Sequence, residues 1–171
     1  MQNTKFTGSL SLLAASTEDL PRIESLMQFY NYDLSEWCPV EFSPSGLYAL
    51  RPKGQYWAKK PVKPYVARVN GELAGFAVID DEVQDPKSDF NLGYFFLGRR
   101  YRGGGTAKEM IRQLFSLHQG RWEVYFFASN IPSVRFWPNA ISLAGGQNME
   151  VEDSVREGLP CRLIRFSTKA P

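Results

Sequence analysis

Residues that bind metals or build disulfide frameworks are scarce in this chain of 171 residues. It has two cysteines, Cys38 and Cys161, far apart and in no ligand-spaced pair, and one histidine, His118. Structural and catalytic metal sites draw on clusters of such residues, so no metal is expected. Two isolated thiols fit a reducing compartment. Long apolar runs are also missing: no window approaches the roughly eighteen residues of a membrane span. Met1–Gly8 lacks the basic-then-apolar order of a secretion signal. A soluble, cytoplasmic chain is predicted, with no membrane partner. A large excess of one charge is absent too. The net charge is +2, too small for a nucleic-acid binder whose affinity rests on phosphate neutralisation. No internal repeat and no low-complexity segment is found.

What is present suits one folded unit. Hydrophobic residues make up 43% and aromatics 14%, which argues against disorder. A single domain spanning 1–171 could bury roughly 70% of the surface its unfolded chain exposes. Near-alternation over Leu10–Ala14 predicts a strand. Ser16-Thr17-Glu18-Asp19 then offers a helix start, and Leu20, Ile23, Met27, Tyr30, Leu34 and Trp37 recur at helical spacing. The end of that helix, Tyr30–Asp33, is placed to look into a pocket. From Cys38 to Pro64 periodicity vanishes, with Pro39, Pro44, Pro52, Pro61 and Pro64 breaking any ladder. Its aromatics argue for packing, and this long connection is assigned to the acceptor side of a site. Strands at 65–69 and 73–79 flank Asn70-Gly71, the signature of a type I′ hairpin. Another strand is expected at 90–97, a helix from Thr106 stopped by Gly120, a strand at 122–128, a short helix capped by Asn130 and stopped or kinked at Pro138, and a closing hairpin around Glu157-Gly158. His118 falls on the apolar face of its helix and reads as a packed histidine.

The chemistry concentrates where the strand ending at Leu97 meets Gly98-Arg-Arg-Tyr-Arg-Gly-Gly-Gly-Thr106. Three successive glycines let consecutive N–H groups converge on an anion, and the helix that follows adds the positive end of its dipole. Arg99, Arg100, Arg102, Lys108 and Arg112 surround this loop, which predicts a ligand with several phosphates. A kinase-type loop would need Gly-Lys-Ser/Thr, yet Gly105 is followed by Thr106 and Ala107. A dinucleotide loop would need a glycine where Lys108 stands. The pattern Arg/Gln-x-x-Gly-x-Gly/Ala remains, filled by Arg102, Gly105 and Ala107.

That loop, after its strand, resembles the acetyl-coenzyme A loop of the GNAT acyltransferases, and the predicted order of elements resembles that fold over nearly the whole chain. Phe29–Glu36, Gln55-Tyr-Trp57, Leu73-Ala-Gly-Phe76 and Phe136-Trp137 look like a small bacterial group of predicted acetyltransferases. The resemblance implies an α/β (α+β) fold with a mixed, mostly antiparallel sheet, splayed at a cofactor cleft and flanked by helices. It implies pantetheine against the exposed backbone of Phe96 and Leu97, and pyrophosphate on the amides of Arg102, Gly103, Gly104, Gly105, Thr106 and Ala107. Asn130 and Phe136 would sit beside the pantetheine arm.

The implied reaction moves an acetyl group from acetyl-coenzyme A to a primary amine of a small molecule or peptide by direct attack, without a metal. An alkylamine of pKa near 10.4 is only about 1 part in 2,500 neutral at pH 7, a handicap of roughly 4.6 kcal/mol, so a base or a water chain to one is expected. The family's usual tyrosine acid is replaced by Trp137, and a position that is often glutamate is Tyr94. Tyr94 is a candidate acid, and Asp89, Glu123 and Asp80 are candidate bases. A coenzyme A-binding protein without transfer activity is the alternative. Oligomeric state, homodimer included, stays open.

Overall fold

The computed structural model describes residues 8–51 and 54–168; the readings of the first seven residues and of Pro52 lie outside them. Seven strands form one sheet in the order β1-β2-β3-β4-β5-β7-β6. They are β1 (Leu10–Ala14), β2 (Lys63–Val69), β3 (Glu72–Asp80), β4 (Phe90–Leu97), β5 (Gly120–Phe127), β6 (Gln147–Arg156) and β7 (Leu159–Thr168). Every neighbouring pair is antiparallel except β4 and β5. That exception follows from the connection, because the intervening helix α3 (Thr106–Leu117) returns the chain in the same direction. The expected mixed, mostly antiparallel sheet with flanking helices is the architecture found.

Helices cover both faces. On one side α1 (Leu20–Leu34) seals Ile23 and Met27 against Phe76, Val78 and Phe96. On the other, α3 and α4 (Ile131–Leu143) bury Met110, Ile111, Leu114 and Ile141 against Trp122, Ile164 and Phe166. Each of these large apolar side chains contributes about 1.5–3 kcal/mol by leaving water. The start of α1 is fixed as its sequence suggested: the Asp19 carboxylate accepts from the Ser16 N–H at 3.0 Å and from its hydroxyl at 2.9 Å. Asn70 and Gly71 take φ of 52° and 82° between β2 and β3, and Glu157 and Gly158 take 52° and 78° between β6 and β7. Both hairpins therefore turn in left-handed geometry, which Asn-Gly favours and which Glu157 adopts although glutamate seldom does.

Four local expectations are corrected. Helix α1 ends at Leu34, three residues before Trp37. Pro138 lies inside α4 instead of ending it; burial of Trp137, Ala140 and Ile141 on either side outweighs the one backbone bond that proline cannot make. Helix α3 stops at Leu117 with His118 as its cap, and Gly120 opens β5, donating its N–H to Thr168 Oγ1 at 3.1 Å. The connection after Cys38 holds a single-turn helix, α2 (Gly54–Trp57), and a bridge between Phe42 and Tyr48, whose rings stack with centroids 4.5 Å apart.

Candidate active site

Strands β4 and β5 pair only at Phe90↔Trp122 and Asn91↔Glu123. Beyond those two rungs they diverge, so the C-terminal halves of both strands lose their ladder and line a cavity of about 1180 Å³. In β4, Tyr94 is opposite Val78 and Leu92 opposite Ile79, which leaves Gly93 as an extra residue, a β-bulge at the point of divergence. Glycine is required there because a Cβ would collide with Asp80 Oδ2 of the neighbouring strand.

At one end of the cavity lies the glycine loop. Gly103 and Gly105 have φ of 86° and 88°, left-handed values that side chains resist, and the space where their Cβ atoms would project is open. The first backbone bond into α3 runs from Glu109 N to Gly105 O, and among the described residues no acceptor is placed against the N–H groups of 103–108. Arg102 differs from the expectation: its own N–H is taken by Arg99 O at 3.2 Å, so the open run of amides starts at Gly103. Its side chain instead donates from Nε to Leu97 O at 2.7 Å and from Nη2 to Asp33 at 2.5 Å. Arg99 holds the other oxygen of the same carboxylate at 2.8 Å. Burial would raise the Asp33 pKa, but the hydrogen bonds from Arg102 and Arg99 outweigh it and hold the group below the usual carboxylate range. Arg100 faces Glu72 at 3.5 Å and Arg112 faces Glu109 at 2.7 Å.

The remaining residues suggested for the cofactor gather around this cleft. Phe96, Leu97, Gly103, Ala107, Asn130 and Phe136 line it. Gly104 and Gly105 are exposed beside Gly103, and Thr106 is buried beneath them. The Asn130 side chain caps α4, accepting from Ser133 N–H at 3.1 Å. Trp137 is buried with its ring 5.3 Å from that of Phe95 and 5.2 Å from that of Phe136.

The four catalytic candidates separate. Tyr94 lines the cavity, its ring 5.6 Å from Tyr30 and 6.4 Å from Tyr56. Burial pushes its phenol well above the ordinary range, so it carries its proton at neutral pH. Asp89 and Glu123 sit at the closed end of the splay, away from the cavity lining. Asp89 caps the strand pair, accepting from Arg121 N–H at 2.8 Å. Glu123 is 0% exposed, and its carboxylate accepts from Gln84 N–H at 2.6 Å, Asp85 N–H at 2.8 Å, the Ser88 hydroxyl at 3.0 Å and Arg165 Nε at 3.2 Å. Burial alone would raise its pKa, but these donors together bring it below the normal glutamate value. It pegs the 81–88 loop to the sheet and has no room to take a substrate proton.

Asp80 does not line the cavity either, but it lies directly behind Gly93, which does. It is 2% exposed, accepts from Tyr56 Oη at 2.6 Å and Asn91 Nδ2 at 2.7 Å, and abuts the strand at Gly93. His118 is packed, as its helix position suggested, with Nε2 2.6 Å from Tyr65 Oη. Sequence reasoning missed Tyr125, Arg51 and Arg156, which line the cavity from three separate elements, with Arg156 4.3 Å above the Tyr125 ring. The alternation of β5 does put Tyr125 opposite the core face of Trp122, Val124 and Phe126, but nothing local relates it to residues 51 and 156.

Cys38 and Cys161 are free thiols. Among the described residues no cluster suited to a metal ion is found, and no helix is long and apolar enough to cross a membrane.

Several solved acetyltransferases share this architecture. An acetyltransferase from Thermus thermophilus superimposes with a TM-score of 0.67 at 10% identity over 92% of this chain and 96% of its own. An aminoglycoside acetyltransferase AAC(6')-Ib, solved with coenzyme A and kanamycin, gives 0.63 at 18% over 93% and 95%. The ribosomal L7/L12 alpha-N-protein acetyltransferase RimL, in complex with coenzyme A, gives 0.63 at 14% over 98% of both chains. At such identities the likeness is one of fold. No curated protein sequence matches the chain. The family model of the acetyltransferase (GNAT) family matches residues 26–139, which run from α1 through the bulged strand, the glycine loop and most of α4. The chain therefore belongs to the acetyltransferase (GNAT) family.

Proposed function

We propose that this chain transfers an acetyl group from acetyl-coenzyme A to a primary amine by direct attack within the splay between β4 and β5. The observation that carries this is the run of amides at 103–108 without acceptors, set on a helix N-terminus beside a cavity that Tyr94 also lines, with Asp80 directly behind the lining residue Gly93. The residues fit the cofactor: amides of Gly103–Ala107 would hold the pyrophosphate, backbone of Phe96 and Leu97 would meet the pantetheine, and Asn130 and Phe136 would flank it. When bound, acetyl-coenzyme A supplies an activated acyl carbon and a thiolate as leaving group. The amine nitrogen forms its bond to that carbon as the carbon–sulfur bond breaks.

The protein's part is proton management. Asp80, reached through the Tyr56 hydroxyl, takes the proton lost by the amine, which offsets part of the roughly 4.6 kcal/mol cost of deprotonating it. The Tyr94 phenol, kept protonated by burial, supplies a proton to the departing sulfur. It fills the role left open by the buried indole of Trp137. Two unpaired thiols support a cytoplasmic setting.

Calorimetric titration with acetyl-coenzyme A, followed by assay of free coenzyme A release across a panel of amines, tests the proposal. Saturable binding with release dependent on an amine is expected. Binding without release for every amine would favour a coenzyme A-binding protein, and absence of binding would end both readings.

A further inference from the structure

The cavity contains a cation that the cofactor geometry does not use. Arg156, last residue of β6, lays its guanidinium over Tyr125 and donates from Nη2 to the Glu82 carbonyl at 3.3 Å. Its Nε is buried without a hydrogen-bond partner, and among the described residues no carboxylate pairs with it. A guanidinium presents five donors in one plane, matched in shape to a carboxylate. Leaving buried donors unpaired is costly, and packing against an aromatic face fixes the plane in which they point.

A second guanidinium stands nearby. Arg51 reaches in from the long connection, held by Glu157 at 3.2 Å and Glu82 at 3.6 Å. These pairs are exposed and long, so they hold Arg51 weakly. Arg51 lines the same cavity as Tyr30, Tyr125 and the proposed acid Tyr94. The acids lining the cavity are Asp33, held by Arg99 and Arg102, Glu157, paired with Arg51, and Glu36.

Resting on the acetyl-transfer reading, we infer that the acceptor is an amine that also carries a carboxylate, of the amino-acid class. Arg156 and Arg51 hold the carboxylate, and the amino group is directed toward Tyr94 and the thioester. The lining offers such a zwitterion two guanidiniums for its carboxylate and the Tyr94 phenol for its amino group.

The test measures binding before turnover. Protein saturated with coenzyme A is titrated calorimetrically with L-amino acids, each paired with its own carboxamide. At least one amino acid is expected to bind about tenfold to a hundredfold more tightly than its amide, the range of a charge-assisted hydrogen bond. Arg156→Ala should erase that preference. If loss of the Tyr125 contact unfolds this variant, exposed Arg51→Ala gives the same reading, with a preference reduced at least threefold. Equal binding of acid and amide, tighter binding of amides or diamines, or binding of neither overturns the inference. The two layers fail separately. Arginine-dependent binding without acetylation would sink the transfer reading alone, whereas acetylation of amines regardless of a carboxylate would sink only the acceptor assignment.

Discussion

Replacing Gly105 by valine probes the residue on which the anion seat turns. At φ of 88° a β-branched side chain is strained by about 1–3 kcal/mol, and the strain is relieved only by rotating the peptides on either side. Those peptides carry N–H groups at 105 and 106, within the run left without acceptors. Because an added Cβ meets open space, the core is not disturbed. For a chain of this size a loss of 1–3 kcal/mol lowers the melting midpoint by about 2–12 °C. Two misdirected amides, each about 1.5–3 kcal/mol when bonded to a charged phosphate, should weaken acetyl-coenzyme A binding by about a hundredfold to ten-thousandfold. Gly105→Ala should fall between the parent and the valine variant on both scales. Calorimetry and thermal melting on one preparation separate the effects. A folded valine variant that binds acetyl-coenzyme A within threefold of the parent would refute the loop as the pyrophosphate site.

Other outcomes follow from the same geometry. Glu123→Ala leaves the Gln84 and Asp85 amides and Arg165 without their buried acceptor, so denaturant unfolding should show a loss of about 3–5 kcal/mol. Its affinity for acetyl-coenzyme A should stay unchanged, and a tenfold loss would return Glu123 to the site. Tyr94→Phe should lower kcat by about a hundredfold or more while leaving cofactor affinity intact; an unaltered kcat at every pH would remove Tyr94 from the chemistry. His118 has its pKa lowered, first by burial and then by the Lys63 charge. As pH falls, the unfolded chain takes up that proton before the folded one. Its contribution is thus complete above the ordinary histidine value near 6.5 and lost as pH drops through the lower folded value. Melting midpoints of the parent should fall more steeply from about pH 6.5 to 5 than those of His118→Gln, and identical slopes would contradict the half-buried, neutral imidazole.

Local signals in the sequence were enough for most of the elements. The Asn70-Gly71 and Glu157-Gly158 turns, the helical spacing after Ser16 and the glycine loop before Thr106 each act within a few residues, where steric and hydrogen-bonding preferences are strong. Burial, a property of the assembled core, decided against local preference at Pro138, where packing of Trp137 and Ile141 carries the helix through.

The candidate site divides in the same way. The proposed anion seat is a contiguous stretch, so its glycines and the helix start after them were legible from residues 99–112 alone. Its catalytic and acceptor walls join residues far apart in the chain. Whether Glu123 faces a cavity or lies under the 81–88 loop is set by where β4 and β5 separate, and no local pattern encodes that point. Arg51, Tyr125 and Arg156 meet because the connection, β5 and the end of β6 converge across the sheet. Asp80 packs behind the cleft because the glycine at the Gly93 bulge leaves room for its carboxylate. Composition and periodicity fix which groups are available and which local shapes they adopt; only the folded sheet decides which of them share a pocket, because charge and hydrogen-bond geometry act over a few ångströms of space and not along the sequence.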